Sequence, residues 1–409
     1  MKKGENSINV WTKDFSCITT ATILSAIGGE AMNLPISLLV FEETKSTFLA
    51  ALIMVCGMLP DIILPILIAP FIDRSNKKNW IVSLDILMAL LYTGMGLWTL
   101  NHTFNYGLYV GFVLIVAVNS IIYQLAYGAW YPNLIPKGAE QQGYAVSSTI
   151  YPLVIIIMAP IATFIYGKVA IGYIFLFVAF LTVVSVVLEW QISSPGKEIK
   201  KSYTFAEYRE DVKGGFQYLK KEKGIRNIYT YMSITNGASH GVGLITQAYY
   251  QTQPWLTVTM LGFLKSAEMI GRTLSGLFLY KKEIPREKRF AFTKAVYLTY
   301  DTMDALLLFM PFPLMIVNRF ICGGLGCASA TIRQSAVNSY LPENMRARVN
   351  AIFSVIFSIG GIFFQLAAGW LGMVMPYRTA ALVLGLLTLV SMVIFIAIQG
   401  KDNRPVYEA

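Results

Sequence analysis

The chain has 409 residues, of which 55% are hydrophobic and only 14% are charged, with a mean hydropathy of +0.56. Soluble proteins carry about 25% charged residues, so this composition excludes an ordinary soluble protein and indicates a membrane protein. The formal net charge of +10 would suggest a nucleic-acid partner in a soluble protein. Here the placement of the basic residues along the chain gives it another cause.

Twelve apolar segments follow one another, each long enough for a membrane-spanning helix of about 20 residues. The first 16 residues are polar and lack a small-residue cleavage site, so we expect the first segment to remain as helix 1. The pattern predicts an all-α membrane protein with 12 transmembrane helices. The predicted ranges are 16–41, 46–72, 79–100, 105–132, 143–168, 170–192, 227–250, 255–280, 289–311, 312–340, 347–373 and 376–399.

The lysines and arginines define the expected orientation. With the N-terminus inside, 26 of the 33 fall in inside segments, four in spans and three in outside loops, namely Lys45, Lys168 and Arg378. Cytoplasmic loops carry such an excess of basic residues. We therefore expect a multi-pass protein of the cell membrane with both termini cytoplasmic, whose basic charge reflects topology and not binding to nucleic acid.

The longest polar stretch, 193–226, lies between the sixth and seventh segments. It predicts a six-helix bundle over 1–192, a cytoplasmic linker over 193–226 and a second six-helix bundle over 227–409. The second part of the linker has apolar residues near helical spacing, which predicts an amphipathic helix on the inner membrane surface, with a solvated linker as the alternative. These residues are Phe205, Tyr208, Val212, Phe216 and Leu219.

Two weak matches relate the halves of the chain. Residues 134–136 followed by an alanine match residues 340–342 followed by an alanine at an offset of 206, and residues 69–74 align with 276–281 at an offset of 207. Nearly equal offsets on either side of a central linker predict two pseudo-symmetric, parallel six-helix repeats.

A short basic loop joins the second and third segments. Its sequence from Ala69 to Lys78 resembles the Gly-x-x-x-Asp-Arg-x-x-Arg-Lys loop of the major facilitator superfamily, with Asp73, Arg74 and Lys78 in place, Ala69 instead of the glycine and Lys77 instead of the first closing arginine. Within that superfamily the chain resembles the macrolide-efflux and enterobactin-exporter type. The stretches that carry this resemblance are 37–46, the 73–78 loop, Asp85, 211–219 and 342–348.

This resemblance implies two bundles that rock around a central cavity lined by helices 1, 2, 4, 5, 7, 8, 10 and 11. It also implies a cytoplasmic gate at the 73–78 loop, in which Asp73 meets the start of helix 11 near Arg346 and Arg348. Asp85 is then a gate partner for Arg74 or Lys78. A purely topological role for the loop is the alternative. The exporter motif of helix 5, Gly-Pro-x-x-Gly-Gly, is reduced here to Pro160, which weakens the antiporter signal.

Ionisable residues within a span are costly and are therefore functional candidates. Glu30 and Asp61 fall near mid-membrane on predicted cavity-lining helices, with no evident partner in the sequence. Such carboxyl groups would be protonated part of the time. We expect them to carry a proton or to contact a cationic substrate; a neutral, hydrogen-bonded packing role is the alternative.

The C-terminal half carries more intramembrane charges. Counting residues inward from the outer end of each span at 1.5 Å per residue predicts two pairs at equal depth, Lys265–Asp301 and Asp304–Arg319. Glu268 lies three residues after Lys265 on the same helix face. We expect a structural charge network, with cavity-facing roles for Lys265 or Glu268 as the alternative.

The seventh span is the most polar. Asn236 and His240 share one face at a spacing of four residues, and histidine titrates near neutral pH. One interpretation is that this pair contacts substrate or protons. The alternative is a hydrogen-bonded packing role.

The sequence predicts a secondary active transporter that works by alternating access and exports a small amphipathic compound, drug-like or siderophore-like, by proton coupling. An importer, a lysophospholipid flipper and a non-transporting receptor of the same fold are the alternatives. No nucleotide-binding loop or catalytic constellation is present, and the four cysteines lack zinc-type spacing with histidine. We expect no enzymatic activity, no cofactor or metal, and a monomer in the lipid bilayer with a small-molecule substrate and protons as partners.

Overall fold

The computed structural model describes residues 9–73, 75–193, 205–281 and 284–409. All regular structure in these ranges is helical, as predicted. The α-helices are α1 (Lys13–Thr44), α2 (Thr47–Met58), α3 (Pro60–Asp73), α4 (Lys77–Asn101), α5 (Tyr106–Trp130), α6 (Glu140–Tyr166), α7 (Ile171–Trp190), α8 (Phe205–Lys221), α9 (Lys223–Thr252), α10 (Val258–Lys281), α11 (Arg286–Leu306), α12 (Phe312–Tyr340), α13 (Glu343–Val374), α14 (Tyr377–Ser391) and α15 (Gly400–Tyr407).

In the described part of the chain, nine helical segments are long and apolar enough to cross a membrane by length and composition. The predicted seventh, eighth and ninth spans, α9, α10 and α11, are not among them. These three helices carry 12 of the 24 Asp, Glu, Lys, Arg and His residues of 227–409. Because charged side chains within a membrane face other helices or water, the low hydropathy of α9–α11 marks an interior polar surface.

The second predicted span consists of two helices, α2 and α3, separated by a turn at Leu59. Pro60 has no N–H and therefore removes one hydrogen bond from the helical ladder, while Leu59 keeps helical dihedral angles of −58° and −44°. The Leu59 N–H still donates to the Val55 carbonyl at 3.1 Å, and the Ile62 N–H donates to the Leu59 carbonyl at 3.4 Å. The interruption places Asp61 in the first turn of α3.

The chain divides into two compact units. Unit 1 comprises Met1–Ile36 and Ile63–Thr204, and unit 2 comprises Ser37–Ile62 and Phe205–Ala409. Unit 2 therefore includes the end of α1 and all of α2 in addition to the C-terminal helices. The bundle boundaries predicted from the sequence remain a prediction.

In unit 1, α4 and α7 pack closely along their length. A Cβ atom on Gly172 would lie 2.8 Å from the Gly96 carbonyl oxygen, so only glycine allows this approach of the two backbones. At the other end of the pair, the Lys78 ammonium donates to the carbonyls of Trp190 and Ile192 at 2.7 and 2.6 Å. Carbonyls at the end of a helix lack intrahelical partners, and a cation is favourable there.

In unit 2, the backbones of α10 and α12 touch. A Cβ atom on Gly323 would overlap the Glu268 carbonyl, and one on Gly271 would overlap the Phe320 carbonyl. A similar crossing joins α11 and α14, where a Cβ atom on Gly385 would overlap Ala305. Glycine at these crossings fixes the distance between the helix axes.

The end of α1 and the start of α2 pack on the C-terminal helices of unit 2. The Thr47 hydroxyl donates to the Gly369 carbonyl of α13 at 2.6 Å. Ser37 and Gln247 exchange hydrogen bonds of 3.1 and 3.0 Å. These are side-chain contacts between α1–α2 and the helices α9 and α13.

The last helix, α15, is anchored in unit 2. The Asn403 amide, fully buried, donates to the carbonyls of Phe395 and Ile396 at 2.7 and 3.2 Å. These carbonyls belong to a π-helical segment, Met392–Ala397, that leaves them available. The Tyr407 and Tyr297 hydroxyls lie 2.8 Å apart, and burial raises the pKa of Tyr407 well above its usual range.

The linker forms the helix α8, with Lys220 and Lys221 in its last turn. The Leu219 side chain is buried in the core of unit 2, while Phe216 is exposed. The side chains of Phe205, Tyr208 and Val212 lie outside the described residues. The C-terminal end of α8 therefore packs on protein.

Candidate transport site

A buried ion pair joins α11 and α12 in unit 2. The Arg319 guanidinium on α12 donates to the Asp304 carboxylate on α11 at 2.6 Å. The Arg319 group also donates to the Asn318 side-chain oxygen at 3.1 Å. The structure thus brings together two residues that the equal-depth argument paired. Such a pair is stable in a low-dielectric interior only when its other hydrogen-bonding positions are also satisfied.

Polar side chains from two more helices surround this pair. Ser239 of α9 lies 3.0 Å from the Tyr300 hydroxyl of α11. Glu268 of α10 acts electrostatically on Asp304, Arg319 and Tyr300. We call these residues, Ser239, Glu268, Tyr300, Asp304 and Arg319, the polar cluster.

His240 and Arg272 border the polar cluster. His240 is exposed on α9 and lies within electrostatic range of Glu268. Arg272, one turn after Glu268 on α10, pairs with it at 3.4 Å, and both side chains are partly exposed. Glu268 therefore stands between buried charges on one side and an accessible histidine and arginine on the other.

The helix crossing at Gly323 positions Glu268. The Glu268 backbone lies directly against Gly323, four residues after Arg319 on the same helix. The sequence places a glycine there, and any side chain would push α10 away from α12. The position of Glu268 in the cluster thus depends on Gly323, which has no side chain to contribute to the site.

Asp301 has partners other than the predicted one. Its carboxylate accepts from the Tyr231 hydroxyl at 2.9 Å and the Thr235 hydroxyl at 3.2 Å, both on α9. Lys265, the predicted partner, does not figure among the groups that act on the Asp301 carboxyl, so the Lys265–Asp301 pairing was wrong. Equal depth does not ensure equal direction around the helix axis, and Asp301 faces α9.

The remaining predicted substrate or proton residues are dispersed. Glu30 is buried on α1, and Lys265 is half-buried on α10; neither is without an interaction partner. Asp61 is exposed in the first turn of α3, and Asn236 is half-buried one turn before His240. Their roles remain predictions.

The structure describes part of the predicted gate. Arg74 and the side chains of Asp73 and Arg348 lie outside the described residues. Arg346 donates to the Leu341 carbonyl at 3.3 Å. Lys77 is fully buried at the start of α4.

Lys78 does not reach Asp85, which the sequence suggested as its partner, because its ammonium is held by the carbonyls at the end of α7. Asp85 instead lies near Glu189, a residue that the sequence analysis did not select. Glu189 is fully buried on α7 and accepts from the Tyr123 hydroxyl at 3.0 Å. Its position one residue before the end of α7 resembles that of an interfacial carboxylate, which is why depth alone did not identify it.

A cavity of about 420 Å³ lies in unit 2, lined in part by Tyr249, Phe309, Met315 and Arg378. The Arg378 guanidinium donates to the Tyr249 hydroxyl at 3.0 Å and stacks over the Tyr249 ring. Met315 is one helical turn from Arg319 on α12 and accepts from the Tyr250 hydroxyl at 3.0 Å. The lining residues lie near the end of α9, around the start of α12 and at the start of α14, and Met315 is the one nearest in sequence to Arg319.

The cluster can bind charged or polar groups and exchange protons. In the described residues, no group of three or more His, Cys, Asp or Glu side chains is arranged to hold a metal ion. The side chains of the cluster and its border are carboxylates, hydroxyls, an imidazole and guanidinium groups.

Helices long and apolar enough to cross a membrane and a charge pair buried between helices are features of a polytopic membrane protein. The family model of the Major Facilitator Superfamily matches residues 18–300 and 303–407. The chain therefore belongs to the Major Facilitator Superfamily, whose fold has twelve spans in two bundles. No curated protein matches the chain in sequence.

Solved structures share this fold. A point mutant of a peptide transporter of the POT type matches with a TM-score of 0.71 and 11% identity over 96% of this chain and 95% of the other. A point mutant of the nucleoside transporter NupG matches with a TM-score of 0.70 and 12% identity over 94% and 99%. A bacterial homologue of the human lysosomal transporter Spinster matches with a TM-score of 0.63 and 12% identity over 99% and 98%.

Proposed function

We propose that this protein is a secondary active transporter that works by alternating access and couples export of a small amphipathic compound to proton entry. The observation that carries the proposal is the polar cluster of unit 2. A buried ion pair, a second carboxylate and a nearby histidine are expensive to keep within a membrane. In a transporter, such groups can bind substrate or carry protons.

Glu268 and His240 are the proton-carrying groups in this proposal. Glu268 is close to the buried charges of Asp304 and Arg319 and also to the accessible His240. A proton that moves onto Glu268 removes a negative charge next to the ion pair and changes the local balance of charge. Glu30 and Asp61, which lie on other helices, are kept as further candidates for the same role.

The aromatic cavity supports an amphipathic substrate. Its lining combines rings, Met315 and one guanidinium, and ligand sites typically combine apolar walls with a few oriented polar groups. The similar structures are named as transporters of peptides and nucleosides. At 11–12% identity they support the fold and leave the substrate to experiment.

The experiment is a flux assay in proteoliposomes with a pH-sensitive dye inside, an imposed pH gradient and a panel of amphipathic compounds. We expect compound-linked proton movement in the wild type. Glu268→Gln should lose net proton-driven flux but keep compound exchange at zero gradient, because a neutral amide preserves binding and cannot carry a proton. Glu43→Gln, an exposed carboxylate at the end of α1, is the matched control.

Compound transport by the wild type without any proton movement would overturn the coupling and favour a uniporter or a lipid flipper. Loss of both exchange and net flux in Glu268→Gln would assign Glu268 to substrate binding. The Glu30→Gln variant, assayed in parallel, distinguishes a proton path through unit 2 from one through α1.

A further inference from the structure

Three buried oxygen atoms without a hydrogen-bond donor lie on neighbouring helices of unit 1. Six buried side-chain polar atoms lack a partner in the described residues, and three of these are Asp85 Oδ2, Asn119 Oδ1 and Glu189 Oε2. The side chains are 6%, 5% and 0% exposed. Buried polar atoms are nearly always satisfied in native proteins, so three such acceptors on adjacent helices require an explanation.

The helix packing brings these residues to one region. Tyr92 of α4 and Phe112 of α5 are in ring contact at 5.7 Å. The two helices are joined by a short loop and run in opposite directions. Asp85 lies seven residues before Tyr92 on α4, and Asn119 lies seven residues after Phe112 on α5, so the two residues are at the same depth. Asn119 also shares a helix face with Tyr123, four residues on.

Glu189 reaches this region from α7. The Tyr123 hydroxyl donates to Glu189 Oε1 at 3.0 Å. The Asp85 charge acts on both the Glu189 carboxyl and Tyr123. Side chains lean towards the N-terminus of their own helix, so Asp85 on α4 and Glu189 on the antiparallel α7 lean towards each other.

Within the described part of the chain, neither carboxyl is neutralised by a nearby basic group. The Lys78 ammonium is held by the carbonyls at the end of α7. The neighbouring titratable side chains are tyrosines. Tyr92, Tyr123 and Tyr151 all lie within electrostatic range of the Asp85 carboxyl. Lys77 is buried at the start of α4 and has an interaction of its own. Its charge has no resolved effect on the Asp85 or Glu189 carboxyl.

We infer that Asp85, Asn119 and Glu189, with the Tyr123 hydroxyl oxygen, form a binding site for a small monovalent metal cation such as Na⁺. A hard cation prefers carboxylate, amide and hydroxyl oxygens. One proton bridges two oxygens and leaves the third acceptor unsatisfied, whereas a metal ion can bind all of them. Two carboxyl groups that share one proton carry a single negative charge, which one monovalent ion balances, whereas a divalent ion would leave the buried site with an excess positive charge.

This inference does not rest on the proposed function, because cation binding can be measured without a transported compound. The purified protein in detergent is unfolded by heat in NaCl and in choline chloride at equal ionic strength. We expect a saturable, Na⁺-dependent rise in Tm for the wild type, since a ligand that binds only the folded state stabilises it. Equilibrium binding of radioactive Na⁺ gives the stoichiometry directly.

Glu189→Gln and Asp85→Asn should each reduce Na⁺ binding about tenfold, equivalent to about 1.4 kcal/mol, and shift the Na⁺ dependence of Tm to about tenfold higher concentrations. Tyr123→Phe, which keeps the ring, should weaken binding less. Glu43→Gln should behave as the wild type. The wild-type titration alone keeps the inference testable if a variant fails to fold.

Four results would overturn the inference. One is a wild-type Tm that is the same in both salts, and another is a response to Ca²⁺ or Mg²⁺ in place of Na⁺. The third is a Tm that depends on pH and not on Na⁺, which would identify a shared proton. The last is unchanged Na⁺ binding in both carboxyl variants.

Discussion

Arg319 and Asp304, on α12 and α11, meet at 2.6 Å with side chains only 11% and 5% exposed. Removing one partner of a buried pair leaves the other charge uncompensated, at a cost of about 3–5 kcal/mol. We expect Arg319→Met or Asp304→Asn to lower the unfolding temperature strongly, as measured by thermal unfolding in detergent.

The Glu268–Arg272 pair provides the control for this prediction. Its side chains are 34% and 45% exposed and the two atoms are 3.4 Å apart. Pairs of this kind contribute about 0–1 kcal/mol, so Arg272→Gln should change the unfolding temperature little. An equal loss of stability in both experiments would contradict the special role of the buried pair.

Adjacent glycines on α12 should respond very differently to the same substitution. A Cβ atom on Gly323 overlaps the Glu268 carbonyl, whereas a Cβ atom on Gly324 comes no closer than 3.5 Å to any neighbour. Gly323→Ala should force α10 from α12, displace Glu268, and abolish folding or transport. Gly324→Ala should be nearly neutral.

Expression level, size-exclusion profile and flux compare these two variants directly. Tolerance of alanine at Gly323 with normal flux would show that the α10–α12 crossing adjusts without cost. That result would remove the reason for placing Glu268 at a fixed position in the polar cluster.

The contact between α2 and α13 should be a point at which the transport cycle can be locked. A Cβ atom on Gly372 would lie 2.8 Å from the Thr47 hydroxyl oxygen, a separation compatible with a disulfide between cysteines at these positions. If this contact opens during alternating access, the Thr47→Cys/Gly372→Cys variant should lose transport when oxidised and regain it on reduction.

The experiment uses a background in which the four native cysteines, all free, are replaced by alanine. Each single-cysteine variant serves as a control for the effect of substitution. Wild-type flux in a fully cross-linked sample would show that α2 and α13 remain in contact throughout the cycle.

The C-terminal helix should contribute to stability through a few polar groups. Asn403→Ala leaves the carbonyls of Phe395 and Ile396 without their donor, and an unsatisfied buried group costs about 1–3 kcal/mol. Tyr407→Phe removes one hydroxyl contact with Tyr297 and should cost about 1 kcal/mol. Thermal unfolding measures both.

Arg404→Gln is the matched control on the same helix. Its side chain is 62% exposed and pairs with Glu408, four residues on, so we expect a shift of less than about 0.5 kcal/mol. A larger effect of Arg404 than of Asn403 would contradict the assignment of Asn403 as the anchor of α15.

The fold class could be predicted from the sequence because the membrane requires about 20 apolar residues for each span. Superfamily membership could be predicted from the 73–78 loop together with the number of segments. The break at Pro60 was not anticipated, although a proline within a span is a known cause. The efflux subtype rests on short stretches and is part of the proposal.

The candidate site was predicted less completely. Depth along a helix follows from residue number, and it paired Asp304 with Arg319. Direction around the helix depends on packing, and Asp301 therefore faces Tyr231 and Thr235 rather than Lys265. Glu189 was missed for a related reason, since only the α4–α7 contact shows that it is buried.

The glycine crossings described for α4–α7, α10–α12 and α11–α14 also affect mechanics. Where two backbones touch, no lipid chain or water molecule can enter between them, and the pair cannot open by small increments. We expect each pair to move as one rigid body, so the number of independently moving elements is smaller than the number of helices. The second span differs from these pairs, because Pro60 removes one hydrogen bond from its helical ladder.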